Sequence, residues 1–169
     1  MTSPRRCRKP VPLRASAAAF ALGLVAALAG ATTASRAATT ERVVTDRHTG
    51  FAIYGIDPVA YFTDRKPVAG RAEFEFRFAG AIWRFANEGN RAAFVADPSI
   101  YMPRFGGYDP VDIARGVSTP GYPQLWAIAK DRLYLFYSAQ ARAAFLADPG
   151  AAIAAAEAHW PQLKQDLAE

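Results

Sequence analysis

An internal repeat constrains this chain more than any other feature of its sequence. Residues 91–98 (RAAFVADP) return 51 positions later as residues 142–149 (RAAFLADP). The match continues upstream without a gap, where residues 82–85 (IWRF) align with residues 133–136 (LYLF). A repeat of this length indicates one supersecondary unit that is used twice, and two such units can bury their apolar faces against each other.

Each copy of the repeat has the pattern of a hairpin followed by a helix. Three phenylalanines within residues 74–78 alternate with charged residues, which is typical of a half-buried strand. A turn at residues 79–80, a return strand over residues 82–85 and a helix over residues 87–96 follow. The second copy predicts strands over residues 125–129 and 133–137 and a helix over residues 139–147. The sequence therefore predicts an α+β fold with two hairpin-helix (ββα) units in one compact domain.

Shorter elements are expected around these two units. The sequence predicts a short strand over residues 51–54, helical turns opened by Asp57-Pro58 and Asp97-Pro98, a capped helix over residues 109–116, and a final helix from Pro149 to about Trp160-Pro161. Composition places a flexible lead-in at residues 38–49, the folded domain at residues 50–163 and a tail at residues 164–169.

The first 37 residues have the pattern of a secretory signal peptide. Five basic residues between positions 5 and 14 precede an apolar run over residues 15–31, and small residues suited to cleavage follow. A membrane anchor is the alternative, but the run is at the short limit for spanning a bilayer. Arg5-Arg6 leaves a twin-arginine export signal open. We predict a periplasmic protein with no membrane attachment after cleavage.

Removal of this leader changes the charge of the chain. The whole sequence has 20 Lys and Arg against 15 Asp and Glu. Six of the basic residues and none of the acidic ones precede residue 38, which leaves 14 against 15 and a net charge of −1. This balance predicts no nucleic-acid partner. Because the single cysteine, Cys7, lies in the leader, the mature protein has no disulfide, thiolate ligand or cysteine nucleophile.

Several stretches between residues 50 and 163 resemble the YHS domain family, in the family's order. Residues 54–62 (YGIDPVAYF) resemble the opening motif of its secreted branch, and residues 81–98 resemble its central aromatic strand and helix. The later motifs are matched by Tyr101, by residues 105–108 (FGGY), by Trp126, by residues 133–135 and by Trp160-Pro161. The resemblance implies a hairpin-helix fold related to zinc-binding modules, and cysteine metal ligands in the shorter members.

The cysteines that this resemblance implies are replaced here. Carried over position by position, the metal ligands fall at Ala60, Ala86 and Asn90. The cysteine or selenocysteine that secreted members carry after the Gly-Gly-Tyr motif falls at Asp109. Soft metals need sulfur ligands, and Met102 is the only sulfur after the leader. We therefore predict no metal site, no tight binding of zinc or copper(I), and no cofactor.

Six residues are candidates for ligand binding, at the Asp-Pro turns and in the Gly- and Pro-rich connection between the units: Arg104, Tyr108, Asp109, Tyr122, Asp57 and Tyr61. The carboxylate of Asp109 suits acid-base chemistry or a hard metal. The alternative, which we favour, is an N-cap for a helix that begins at Pro110, and Asp57 precedes Pro58 in the same way. A cap alone predicts that Asp109→Asn is nearly neutral. His48 and His159 are predicted to be solvated or capping residues.

Three functions remain open on the sequence alone. The preferred one is a non-catalytic module that binds a small molecule or a periplasmic protein around residues 106–116. The second is an enzyme that uses Asp109 and neighbouring tyrosines for acid-base chemistry, and the third is a structural module that has lost its ancestral site. The sequence contains no hydrolase elbow, phosphate loop, dinucleotide fingerprint or paired-histidine zinc helix.

Overall fold

Two hairpins, short and long helices, and two 3₁₀ turns make up residues 41–167, the part of the chain that the computed structural model describes. In chain order the elements are the 3₁₀ turn Ile53–Gly55, α1 (Ala60–Thr63), β1 (Arg71–Phe78), β2 (Ala81–Phe85), α2 (Glu88–Ala96), α3 (Pro98–Tyr101), the 3₁₀ turn Arg104–Gly107, α4 (Pro110–Ile113), β3 (Tyr122–Ala129), β4 (Arg132–Phe136), α5 (Ala139–Ala147) and α6 (Pro149–Gln165). This is the α+β fold that the sequence predicts. The predicted leader at residues 1–37 lies outside the described residues.

The two hairpins are built alike. β1 pairs antiparallel with β2, β3 pairs antiparallel with β4, and each pair has one irregularity at the same place in its register. The turn residues Ala79 and Gly80 both have positive φ angles, and so do Lys130 and Asp131 in the second hairpin. Two-residue turns of this hand match the right-handed twist of paired strands, so both hairpins close tightly.

Polar caps decide where the helices after each hairpin begin. Asn87 and Ser138 cap α2 and α5, each accepting a hydrogen bond from the backbone N–H three residues later. Asp97 and Asp148 cap α3 and α6, whose first residue is proline. Because a cap and a proline act locally, these boundaries lie close to the predicted ones.

Phe94 of α2 and Phe145 of α5, which are aligned in the sequence repeat, occupy equivalent buried positions. Both side chains are 0% exposed. Phe94 lies 5.2 Å from Phe85 and Phe145 lies 5.1 Å from Phe136, measured between ring centroids. Each helix is therefore held on its own hairpin by the same aromatic contact.

The core consists of two clusters that meet at β4. Side chains alternate along this strand: Leu133 and Leu135 belong to the first cluster, and Tyr134 and Phe136 belong to the second. Most of the other members of the first cluster come from the first unit, and most of those of the second cluster come from the second unit. The aromatic residues Trp83, Phe85 and Phe94 of the first cluster correspond in the repeat to Tyr134, Phe136 and Phe145 of the second. β4 is therefore buried on both faces and contributes side chains to the cores of both units.

Residues 43 and 44 are packed into the fold, within the segment 38–49 where the sequence predicts a flexible lead-in. Val43 and Val44 are 3% and 0% exposed. The backbone N–H of Val44 donates to the carbonyl of Gly106, and the N–H of Ile53 donates to the carbonyl of Val44, both at 2.8 Å. Residues 51–54, predicted as a strand, form isolated bridges and a 3₁₀ turn instead. Ala52 bridges to Thr45 and Phe51 bridges to Ile82 of β2, so neither neighbour continues into a ladder.

Helix α6 continues past Pro161 to Gln165, so the prediction that it ends near Trp160-Pro161 is wrong. Proline removes one backbone donor and usually ends or kinks a helix. Here Leu163 and Leu167 pack against the second cluster after the proline, so continuing the helix buries more apolar surface. Residues 164–167 therefore belong to the fold rather than to a tail. In the described part of the chain, no helix is both long and apolar enough to cross a membrane.

Candidate functional site

The structural repeat is longer than the sequence repeat and includes both Asp-Pro turns. A 3₁₀ turn with positive φ angles precedes Asp57 and another precedes Asp109. The backbone N–H of Asp57 donates to Val68 at 2.8 Å, and that of Asp109 donates to Thr119 at 2.9 Å. The two aspartates are 52 positions apart, whereas the hairpins are 51 positions apart. Because the segment between the Asp-Pro turn and the hairpin is one residue longer in the first unit, aligning the two repeats without a gap does not place Asp57 over Asp109.

The carboxylate of Asp57 joins three elements of the first unit. It is 0% exposed. Its Oδ1 accepts from the backbone N–H of Val59 at 2.8 Å and of Ala60 at 3.3 Å. Its Oδ2 accepts from the N–H of Ala86 at 2.8 Å and from the side-chain Nδ2 of Asn90 at 2.6 Å. The three positions at which the family resemblance implies cysteine ligands thus meet around a carboxylate, with hydrogen-bond donors that suit an anion.

Asp109 has the equivalent place in the second unit. It is 0% exposed; its Oδ1 accepts from the N–H of Val111 and its Oδ2 from the N–H of Tyr137, both at 2.8 Å. The first of these bonds confirms the predicted cap of α4. The residue that corresponds to Asn90 is Ala141, and within residues 41–167 no side chain donates to the Asp109 carboxylate. One side-chain partner of the first unit is therefore missing in the second.

A cavity of about 400 Å³ adjoins Asp109, and we call it the Asp109 cavity. Its lining includes Asp109, Asp112, Arg115, Tyr137, Gln140 and Ala141. Because Ala141 lines it, the cavity lies on the side from which Asn90 reaches Asp57 in the first unit. Its volume is within the range of small-ligand sites, roughly 300–1,000 Å³. The loop at residues 106–116 that the sequence singled out provides one wall.

Burial raises the pKa of the Asp109 carboxyl. Loss of solvation is the largest cause, the backbone bonds from Tyr137 and Val111 oppose it, and the negative charge of Asp112 adds to the rise. Arg115, which also lines the Asp109 cavity, is already ion-paired with Asp112. The carboxylate therefore stands in the wall of a cavity whose titratable groups carry one negative charge in excess.

Three exposed tyrosines, Tyr54, Tyr122 and Tyr137, form a row beside this cavity. They are 40%, 45% and 50% exposed. The ring centroids of Tyr54 and Tyr122 are 6.5 Å apart, and those of Tyr122 and Tyr137 are 5.6 Å apart. This tyrosine row lines a second cavity of about 340 Å³, together with Asp46 and His48. Since Tyr137 lines both cavities, they adjoin along its side chain.

Tyr54 reaches this row from an unfavourable backbone conformation. Its φ of 59° and ψ of 27° lie in the left-handed region, which costs a non-glycine residue about 1–2 kcal/mol. The equivalent residue in the second unit is Gly106, where a Cβ atom would clash with the backbone carbonyl oxygen of Arg42. Ile53 and Phe105 in the same two turns also have positive φ angles, so the left-handed turn is common to both units, and in the first unit it carries the exposed ring of Tyr54.

The structure separates the six predicted binding residues. Tyr61 and Tyr108 are fully buried, and their hydroxyls donate to backbone carbonyls at 2.9 Å and 2.6 Å. Arg104 forms a surface ion pair with Glu157 at 2.7 Å. The two aspartates are buried in their Asp-Pro turns as described above. Of the six, Tyr122 and Arg104 lie at the surface, and Arg104 is paired with Glu157.

The two histidines do not come together. His48 is exposed beside the tyrosine row, and His159 is exposed on α6. Among residues 41–167, no group of three or more His, Cys, Asp and Glu side chains is placed to hold a metal ion. The expected lack of tight zinc or copper(I) binding stays a prediction, which titration of the mature protein against competing chelators tests.

Two members of the tyrosine row, Tyr54 and Tyr137, are absent from the binding residues predicted from the sequence. Both lie in apolar runs, residues 51–54 and 133–137, in which an aromatic side chain is expected to be buried. The aligned repeats do carry one signal, since they place Ala141 over Asn90 and so mark a lost polar side chain.

Known proteins add no further constraint on this site. Comparisons of the chain with protein-family models, with curated proteins and with solved structures find no match. The resemblance to the YHS family therefore rests on the sequence motifs, and the function has to be inferred from the geometry.

Proposed function

We propose that the chain is an exported, non-catalytic binding module of YHS type, whose ligand lies across the tyrosine row and the adjoining Asp109 cavity. The observation that carries this proposal is the alignment of three half-exposed rings on one surface, with a polar-walled cavity at one end. Rigid aromatic rings are enriched at recognition surfaces, because they bury a large area at a small cost in side-chain entropy.

The groups that acid-base catalysis would use at this loop are engaged in the fold. Both oxygens of Asp109 accept backbone N–H groups, and the hydroxyl of Tyr108 donates to the carbonyl of Glu41. Burial, followed by the charge of Asp57, raises the pKa of the Tyr61 hydroxyl. A general acid or base must stand within hydrogen-bond reach of the substrate, and the buried hydroxyls of Tyr61 and Tyr108 already donate to backbone carbonyls. Binding is therefore better supported than catalysis.

Retention of the tyrosine row also favours a binding module over a structural one that has lost its site. Exposed aromatic side chains that cluster on one surface mark interaction sites, whereas scattered ones are common on any protein. The left-handed backbone of Tyr54 adds a cost of folding that a purely structural module would avoid with glycine. A ligand that binds across the rings would account for both the clustered exposed tyrosines and the cost of the left-handed backbone at Tyr54.

Native mass spectrometry of the mature protein, purified from its own periplasm, tests the proposal. A small-molecule adduct is expected on the wild-type protein and is expected to be lost in the double variant Tyr122→Ala/Tyr137→Ala. The matched control is Leu146→Ala, which removes a 47% exposed apolar side chain from α5 and should keep the adduct. An adduct that survives in a folded double variant, or no adduct on the wild type, would contradict the proposed site.

Export is tested separately by N-terminal sequencing of the same preparation. The pattern of small residues in the leader predicts a mature chain that begins near residue 32 or residue 38. An intact Met1 on a membrane-bound protein would contradict export as a cleaved precursor.

A further inference from the structure

The two units provide an internal comparison of one carboxylate with and without a side-chain partner. In the first unit the Nδ2 of Asn90 donates to Asp57 Oδ2 at 2.6 Å. In the second unit Ala141 stands at the position of Asn90, and it lines a cavity together with Asp109. The second unit thus keeps the acceptor and the space, and lacks the donor.

We propose that the Asp109 cavity binds a primary ammonium group of a small ligand, which donates to Asp109 Oδ2 where the Asn90 amide donates to Asp57 in the first unit. This ammonium site rests on the proposed function, and it specifies the chemical group with which the ligand enters the cavity. The backbone bonds from Val111 and Tyr137 hold the carboxylate in place before the ligand arrives.

Charge favours an ammonium group over a neutral amide at this place. Asp112 and Arg115 in the cavity lining pair with each other, so they leave the charge of Asp109 uncompensated. A cation at hydrogen-bond distance offsets the cost of burying a carboxylate, and a charge-assisted bond is stronger than a neutral one. An amide would supply the missing bond but not the missing charge.

The adjoining ring of Tyr137 favours a ligand that carries the ammonium group next to a ring or another flat apolar part. Tyr137 lines the Asp109 cavity and stacks against Tyr122 at 5.6 Å. An ammonium group near the face of a tyrosine ring gains a cation–π contact, and a flat group can continue along the tyrosine row. The ligand would then use both parts of the surface at once.

Entry requires exposed side chains to turn aside, because Asp109 itself is 0% exposed. Gln140 and Tyr137 line the cavity and are both exposed. Exposed side chains change rotamer on a picosecond to nanosecond timescale, so they present no lasting barrier. On the helix side, the cavity is lined by the small side chains of Ala141 and Ala144 together with Gln140.

Two probes with the same ring separate the charge from the ring. Benzylammonium carries the proposed group, and benzyl alcohol carries a neutral hydroxyl in its place. Titration of the mature ¹⁵N-labelled protein by NMR should show benzylammonium binding about tenfold tighter or more, the difference expected for a hydrogen bond to a charged group. The backbone N–H signals of Val111 and Tyr137, which report on Asp109, should shift with benzylammonium in particular.

Exchange of residues between the units is the decisive test. Ala141→Asn brings the amide of the first unit into the second, and it should weaken benzylammonium binding about tenfold or more while benzyl alcohol binding changes little. The matched control Ala143→Asn, an exposed position on the same helix, should leave both affinities unchanged. Reciprocally, Asn90→Ala should open a second ammonium site, seen as a benzylammonium-dependent shift of the Ala86 N–H signal.

The outcomes separate this site from the proposed function. Thermal unfolding shows whether each variant is folded, and Ala144→Leu, which narrows the cavity from α5, replaces Ala141→Asn if that variant does not fold. Unchanged benzylammonium binding in the folded variant overturns the ammonium site. If Tyr122→Ala/Tyr137→Ala still abolishes binding of both probes, the tyrosine row stands without it. If that double variant also binds both probes normally, both proposals fail.

Discussion

Val43 and Val44 are consecutive in the chain but are buried in different clusters. Val43 belongs to the first cluster and Val44 to the second. The backbone of Val44 is bonded to Gly106 on one side and to Ile53 on the other, so this segment runs between the two 3₁₀ turns. A few residues before the first unit therefore connect both units.

We expect Val44→Ala to lower the free energy of unfolding by about 1–3 kcal/mol, because it removes two buried methyl groups and leaves a cavity in the second cluster. Urea denaturation of the mature protein measures it. Arg47→Ala, an exposed substitution three residues later, is the control and should change stability by less than about 0.5 kcal/mol. A neutral Val44→Ala would mean that the segment is flexible, as the sequence alone predicts.

Phe94→Ala and Phe145→Ala should each cost about 3–5 kcal/mol, and the two losses should be similar because the surroundings of the rings are equivalent. Each phenylalanine has an adjacent control on the same helix. Val95 and Leu146 are 43% and 47% exposed, so their replacement by alanine should cost less than about 0.5 kcal/mol. Chemical denaturation of all four variants compares them, and a large difference between the two phenylalanines would contradict the structural equivalence.

Asp57→Asn and Asp109→Asn should each destabilise the fold by about 1–3 kcal/mol, in contrast to the nearly neutral change expected for a cap alone. In both residues both carboxylate oxygens accept N–H groups, so the amide of asparagine must turn its NH₂ towards a backbone donor. Asp148 caps α6 through one oxygen, and Asp148→Asn is the matched control that should be nearly neutral. Equal melting temperatures of the three variants would contradict this prediction.

The stability that depends on Asp109 should increase as the pH falls. Because its pKa is raised in the fold, the folded state binds the proton more tightly than the unfolded state, whose pKa is about 3.9. Stability from this group is therefore complete below that value and is lost as the pH rises through the folded pKa. Relative to Asp109→Asn, the wild type should gain stability between about pH 7 and about pH 4. Urea denaturation of both proteins at these two pH values measures the difference in their free energies of unfolding. A difference that is the same at both pH values would contradict the prediction.

Tyr54→Gly should separate stability from binding. Glycine adopts the left-handed conformation of this residue without steric cost, so stability should stay equal or rise by up to about 1 kcal/mol. Loss of the ring should weaken ligand binding at the tyrosine row. Tyr54→Ala also removes the ring but keeps the backbone strain, so it should weaken ligand binding without any gain in stability. A Tyr54→Gly protein that binds the periplasmic adduct as the wild type does would remove Tyr54 from the site.

The repeat, the hairpins and the helix starts follow from the sequence, because each depends on neighbouring residues. Alternation within residues 74–78, the cap at Asn87 and the Asp-Pro pairs act over a few positions. Such local signals do not depend on how the chain packs at a distance. They fail where packing intervenes, as in α6, which passes Pro161 because leucines beyond it reach the second cluster.

Only the tertiary structure decided which aromatic side chains are exposed and where the space is left. The alternation of apolar residues predicts that one face of a strand is buried. It does not predict that β4 is buried on both faces, because that depends on how the two units pack against it. The contrast between buried Tyr108 and exposed Tyr137 arises from that packing. The cavity at Asp109 is also a result of packing. The sequence shows that Ala141 stands at the position of Asn90, but only the structure shows that both residues lie beside equivalent carboxylates.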